Sequence, residues 1–226
     1  MVVLPGSRRL VTAPEHGYGN QVDGLCGITR LNLVTARVEI RPGSDADFAT
    51  LVAVLGERNW FTDRLARQQR GGGVLLVAWL DGRPVGEVFV ECEPANEPEV
   101  RRRLPGVPRL DHLEVLGPLW GQGIGTALIR AAEASARQLG HQRIALGVGL
   151  DNPKARRLYE RLGYADWGHG TVVGTWVEYP DDGPPVTLSE VCDMLIKRFE
   201  RVPLIRSSRW REVVPVPVEV EVAVPA

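Results

Sequence analysis

Gly121, Gly123 and Gly125 alternate with Gln122 and Ile124, between a strand-like segment at residues 110–116 and a helically spaced segment that begins near Thr126. A strand running through glycines into a helix start directs unpaired backbone N–H groups, and the positive end of the helix dipole, at one point in space. The chemistry served there is phosphate binding, and glycine lets the main chain approach the anion with no Cβ between. A Walker loop would continue with Lys-Ser or Lys-Thr, whereas this loop continues with Thr126-Ala127. A Rossmann fingerprint would space its glycines differently and stand near the first strand of a parallel unit. A plain strand-to-helix turn shares the pattern, so the glycines alone say only that an anion is able to bind.

Other side chains offer acid–base chemistry. Asn152, Ala155 and Tyr159 follow one another at spacings of three and four, which places them on one helical face. A phenol of pKa about 10 is protonated at neutral pH and able to donate. Asp111 lies four residues before Val115, on the same face of a regular strand, with His112 and Glu114 on the other. His112 ordinarily titrates near neutrality. Glu87 and Glu91 are further acids on the preceding strand. Cys26, Cys92 and Cys192 fit no zinc spacing and form no CxxC pair, so no metal is expected. Cys92 and Cys192 read as core thiols. An odd, sparse set of cysteines suits a reducing, cytoplasmic compartment.

The elements that must position these groups follow from periodicity and punctuation. Residues 37–41 alternate as a strand. Ser44 or Asp45 then caps a helix with Phe48, Leu51, Val52 and Leu55 on one side. A second helix covers residues 60–69. Two apolar runs, 74–80 and 84–92, flank Asp81-Gly82 as a hairpin. Residues 93–108 contain four prolines and Arg101-Arg102-Arg103 and are expected to form a long loop. A strand at 110–116 leads into the glycine loop, a helix at 126–139 closed by Gly140, a strand at 143–148 and a helix at 153–162 closed by Gly163. Residues 171–179 alternate again, and 191–199 suit a strand or a short helix. The tail at 213–226 reads as disordered or as an added edge strand. This order is mixed α/β, one sheet with helices on its faces.

Two segments are similar to the signatures of the GNAT superfamily of acetyl-CoA-dependent N-acyltransferases. They are residues 113–129, LEVLGPLWGQGIGTALI, and residues 146–164, LGVGLDNPKARRLYERLGY. The resemblance covers about residues 37–200, leaving 1–36 as an N-terminal extension and 201–226 as a C-terminal tail. It implies a mostly antiparallel sheet with splayed central strands and helices on both faces. It also implies acetyl-CoA as acyl donor, transferred directly to an amine within a ternary complex. The donor would be held by Val115, Leu116, Gly117, Gly121, Gln122, Gly123, Ile124, Gly125, Thr126 and Asn152. In the family the Val115 amide polarises the thioester carbonyl and Tyr159 protonates the leaving sulfur. An acid is common at the place of Asp111, which is the first candidate for the base. One departure stands out: the family usually has Arg or Gln at the position of Trp120, which reads as a packing residue on the loop's flank.

The acceptor is expected to be a small-molecule primary amine. Glu91, Glu93, Glu97, Glu99 and the Asp181-Asp182 segment are able to attract a cation, though ordinary solvated loops look the same. A protein N-terminal or lysine acetyltransferase, and a CoA-binding module without catalysis, are the alternatives. A net charge of −1 gives no bulk field for nucleic acid or an anionic membrane, and no run approaches a membrane span. The terminal segments are the candidates for self-association as a homodimer.

Overall fold

Residues 74–80 form an unbroken apolar run because the strand they make is covered on both faces. In the computed structural model, which describes residues 33–178, 180, 183–200 and 218–225, this is β2 (Gly73–Leu80). It pairs with β1 (Leu33–Pro42) and, across the Asp81-Gly82 turn, with β3 (Arg83–Glu91). β4 (Arg109–Val115), β5 (Arg143–Gly149), β6 (Ala165–Glu178), β7 (Val186–Arg198) and β8 (Val218–Pro225) complete a sheet of order β6-β7-β5-β4-β3-β2-β1-β8. Every pairing is antiparallel except β4 with β5. No helix among the described residues is long and apolar enough to cross a membrane.

The helices cover both faces. α1 (Phe48–Leu55) and α2 (Arg58–Gln69) bury Leu51, Trp60, Phe61 and Leu65 against Leu75, Val77, Trp79 and Phe89. α4 (Ile124–Gln138) lays its apolar stripe on the opposite face, over Ile40, Leu76, Val88, Leu110 and Leu113. Leu128 and Ile129 are fully buried there, and each such side chain contributes about 1.5–3 kcal/mol. α5 (Pro153–Arg161) adds Ala155 and Tyr159 to the same core. Glu133 of α4 is 3% exposed and accepts hydrogen bonds from Lys197 of β7 at 2.8 Å, tying the helix to the far side of the sheet.

Three expectations change. The segment at 93–108 is not all loop: it contains α3 (Pro98–Arg103), with Pro98 at its first turn and the arginine triplet at its end. Its Val100 packs with Leu104, Trp167, Cys192 and Met194 in a third cluster. Of the segment 191–199, residues 191–198 belong to a strand, the long β7 (Val186–Arg198). Of the two readings of the tail, edge pairing is what its last residues show, since β8 lies against β1 from Leu33↔Pro225 to Ile40↔Val218. Cys26, residues 1–32 of the N-terminal extension, Asp181-Asp182 and residues 201–217 lie outside the described residues.

Candidate active site at the β4–β5 splay

β4 is not a regular strand. It pairs with β3 through Gly86↔Val115 and Glu87↔Glu114, then resumes at Phe89↔Asp111, so β4 has one residue more than its partner. His112, at φ +51°, is where the chain takes up the excess. Leu110, Leu113 and Val115 therefore all face the α4 core, at 0%, 0% and 6% exposure. Asp111 and Glu114 share the other face with their partners Phe89 and Glu87, toward α2. This corrects the expectation that Asp111 and Val115 point the same way: a bulge shifts strand alternation by one residue.

The α2 side of β4 is densely charged. Asp111 accepts a hydrogen bond from Arg64 at 3.0 Å, and Arg64 also pairs with Asp63 at 2.9 Å while lying over the rings of Trp60 and Phe89. Burial pushes the Asp111 carboxyl up, while the Arg64 and His112 charges push it down, and the balance lies below its ordinary value. His112 stacks near Trp60, with ring centroids 4.4 Å apart. Its Nε2 lies 3.1 Å from Glu57, 3.3 Å from Glu114 and 3.7 Å from Glu87. Burial lowers its pKa, yet these carboxylates outweigh burial and push it up to about 10. His112 is thus an imidazolium at neutral pH and not the group titrating near neutrality that its residue type suggests. Ligand atoms of the same four side chains lie within 4.8 Å of one another, so a divalent cation in place of the imidazole proton is chemically able to sit there.

On its other edge β4 loses its neighbour. Only Arg109↔Ala145 and Leu110↔Leu146 join it to β5, which from there runs on against β7. Leu116 donates its N–H to Val85 of β3 at 2.9 Å. In an extended chain the Val115 amide and carbonyl must then point the opposite way, into the splay. Leu116, expected among the donor contacts, therefore has its own N–H turned away from the splay. After a 3-10 turn at Gly117–Leu119, Trp120 is 52% exposed, and its Nε1 donates to the Val115 carbonyl at 2.6 Å. The indole is thus a ligand of the strand edge and not a packed flank residue. Gly121 and Gly123 take φ +78° and +88°, with open space where a Cβ would stand. Gly125 lies 3.9 Å from Val115 Cγ2 when a Cβ is placed on it, so the start of α4 meets the end of β4. The first N–H groups of α4, from Ile124, Gly125 and Thr126, have no partner inside the helix and face this opening. Gln122 is folded back, its Nε2 3.4 Å from the Pro118 carbonyl.

Beneath the splay, Asn152 caps α5 by accepting from the Ala155 N–H at 3.1 Å, which leaves its amide nitrogen for other work. Tyr159 is 0% exposed, packed edge-on against Tyr164, and its hydroxyl has no hydrogen-bond partner among the described residues. Burial raises the phenol's pKa above its ordinary value.

A strand splay, a glycine turn opening a helix and a buried tyrosine on the next helix form one constellation, and over residues 43–164 the chain matches the acetyltransferase (GNAT) family. The chain belongs to that family. This GNAT domain is 32% identical over 107 residues to an uncharacterized N-acetyltransferase of Methanocaldococcus jannaschii, a match spanning 47% of this chain and 45% of that protein. Its fold is similar to that of a GNAT-family acetyltransferase from Streptococcus pneumoniae, with TM-score 0.52, 20% identity and coverage of 72% of this chain and 99% of the other. It is also similar to a ribosomal-protein-alanine N-acetyltransferase from Brucella melitensis, with TM-score 0.52, 20% identity and coverage of 71% and 99%. A protein from Salmonella typhimurium solved with acetyl-CoA matches with TM-score 0.53, 16% identity and coverage of 76% and 96%.

In this GNAT domain the glycine turn meets the end of β4 where Gly125 approaches Val115, while Asp111 lies on the opposite face of β4 from Val115. A cleft on that second side is lined by Arg64, Arg67, Glu91, Asp111, Gly147 and Thr175. Arg64, Trp60 and Glu57 are additions that sequence reading did not single out. They come from α2 and its cap and reach β4 only through tertiary packing, so no local spacing marks them.

Proposed function

We propose that this domain transfers the acetyl group of acetyl-CoA directly to the amine of a small molecule, with both substrates bound together. The observation that supports this most is the Tyr159 hydroxyl, fully buried and without a partner among the described residues, on the helix that follows the splayed strand β5. A buried hydroxyl left unsatisfied is unfavourable by about 1–3 kcal/mol, and a leaving thiolate would satisfy it.

The donor pyrophosphate sits on the N–H groups of Gly121, Gln122, Gly123, Ile124, Gly125 and Thr126, where glycine geometry leaves room. The pantetheine arm adds along the free edge of β4 at Val115 and Gly117, with the Asn152 amide nitrogen nearby as a further donor. The Val115 N–H polarises the thioester carbonyl and stabilises the oxyanion that forms on amine attack. As the C–S bond breaks, the sulfur takes the Tyr159 proton. A phenol whose pKa is raised by burial stays protonated until then.

Asp111 accepts a hydrogen bond from the Arg64 guanidinium, and a carboxylate held by a fixed cation is a weaker proton acceptor. We assign it the fixed charge that positions the acceptor in the cleft beside Arg64. The bulge favours Glu114 as proton acceptor: it adjoins Val115 in the chain and shares the α2-facing side of β4 with Asp111. The two roles separate in steady-state kinetics, because Glu114→Gln should lower kcat while Asp111→Asn should raise KM for the amine with kcat largely retained.

Calorimetric titration with acetyl-CoA, followed by thiol release on a panel of small amines, lysine peptides and free peptide N-termini, tests the whole reading. Release with small amines is the expected result. Release with peptides alone would move the acceptor to protein, and binding without release for any amine would favour a non-catalytic CoA module.

A further inference from the structure

Trp120 occupies the position where Arg or Gln is usual, and the fold gives it a partner that neither of those would need. Its ring is half exposed, yet its Nε1 donates at 2.6 Å to the Val115 carbonyl. That carbonyl points into the splay, because the following N–H is already spent on Val85. A donor to it must therefore approach from the splay side. The turn at Gly117–Leu119 folds the loop so that residue 120 returns over residue 115. In effect the indole stands in for the missing strand at the end of β4.

The geometry points to Trp120 as an internal competitor of the acyl donor. Its indole takes the strand-edge carbonyl that the pantetheine arm must pair with, so the donor enters only as the ring leaves. This rests on the donor groove proposed above. A carbonyl oxygen has two lone pairs, but sharing is sterically barred. An added backbone runs about 4.8 Å from β4, which is the space a ring bonded to that oxygen fills. The exchange is conservative in hydrogen bonds, one N–H replaced by another, so the cost of displacement is the lost packing of a half-exposed ring.

The test compares CoA with 3′-phospho-ADP, which has the nucleotide and pyrophosphate but no pantetheine arm. Calorimetry on the full chain with Trp120→Ala should give CoA binding tightened by about threefold or more, with 3′-phospho-ADP binding unchanged. Trp120→Phe, which retains an aromatic ring but no donor, should fall between the wild type and the alanine variant for CoA. Thermal melts of both variants should fall within a few degrees of the wild type, since one hydrogen bond is lost and the side chain is largely outside the core. CoA affinity that stays equal or weakens in Trp120→Ala would overturn the inference while leaving the donor groove intact. An equal gain for both ligands would overturn it too, by showing an effect on the pyrophosphate loop. Wild-type protein that binds neither ligand would remove the donor reading and this inference together.

Discussion

The Tyr159 hydroxyl sets stability against chemistry within one atom. Tyr159→Phe deletes a buried group with no hydrogen bond among the described residues, so the variant should be as stable as the wild type or more so, by about 1 kcal/mol. The same variant should lose about 100-fold in kcat with acetyl-CoA binding retained. Thermal melts beside steady-state kinetics check both halves, and full kcat would remove Tyr159 from the reaction. His112 ties stability to pH. Its folded pKa of about 10 lies above the ordinary 6.5, so its contribution is complete below pH 6.5 and fades as pH rises through 10. The melting temperature should fall across that window, and His112→Gln should flatten the fall. The placement of Asn152 at the cap of α5 and of Ala155 and Tyr159 on its buried face was legible because helical spacing survives folding unchanged. The face of Asp111 was not, because alternation assumes one residue per pleat and His112 breaks it.

The glycine turn shows how an element's backbone, more than its side chains, can make a site. Gly123 at φ +88° precedes the first turn of α4, whereas Gly125 lies inside it with ordinary contacts around an added Cβ. Gly123→Ala should therefore cost about 1–2 kcal/mol from the left-handed backbone, while Gly125→Ala should leave the melting temperature nearly unchanged. Urea denaturation of the two variants distinguishes them. Most elements could be read from sequence, since apolar spacing and turn residues agreed along β2, β3, α4 and α5. α3 was hidden because prolines usually argue against helix, yet Pro98 stands in the first turn, where no intrahelical N–H is needed. The splay was legible only through family resemblance, because losing a strand neighbour leaves no mark on a strand's own composition.

At the scale of the whole molecule, two backbone pairings between β4 and β5 leave side chains to join the halves of the sheet. Glu133 is central to that joining, nearly buried under α4 and held by Lys197 on β7. Lys197→Met should leave this carboxylate without its nearest cation and destabilise the protein by about 3 kcal/mol, measurable by urea denaturation. The edge partnership of β1 with β8 has a different consequence, in time. The two strands are separated by nearly the whole chain, so a ribosome making about 5–20 residues per second exposes β1 roughly 10–35 seconds before β8 exists to cover it. During that interval the nascent sheet has an open margin of backbone donors and acceptors, and neighbouring nascent chains are its natural rivals for pairing. Translation speed between residues 42 and 218 is thus a variable on which the yield of this protein should depend.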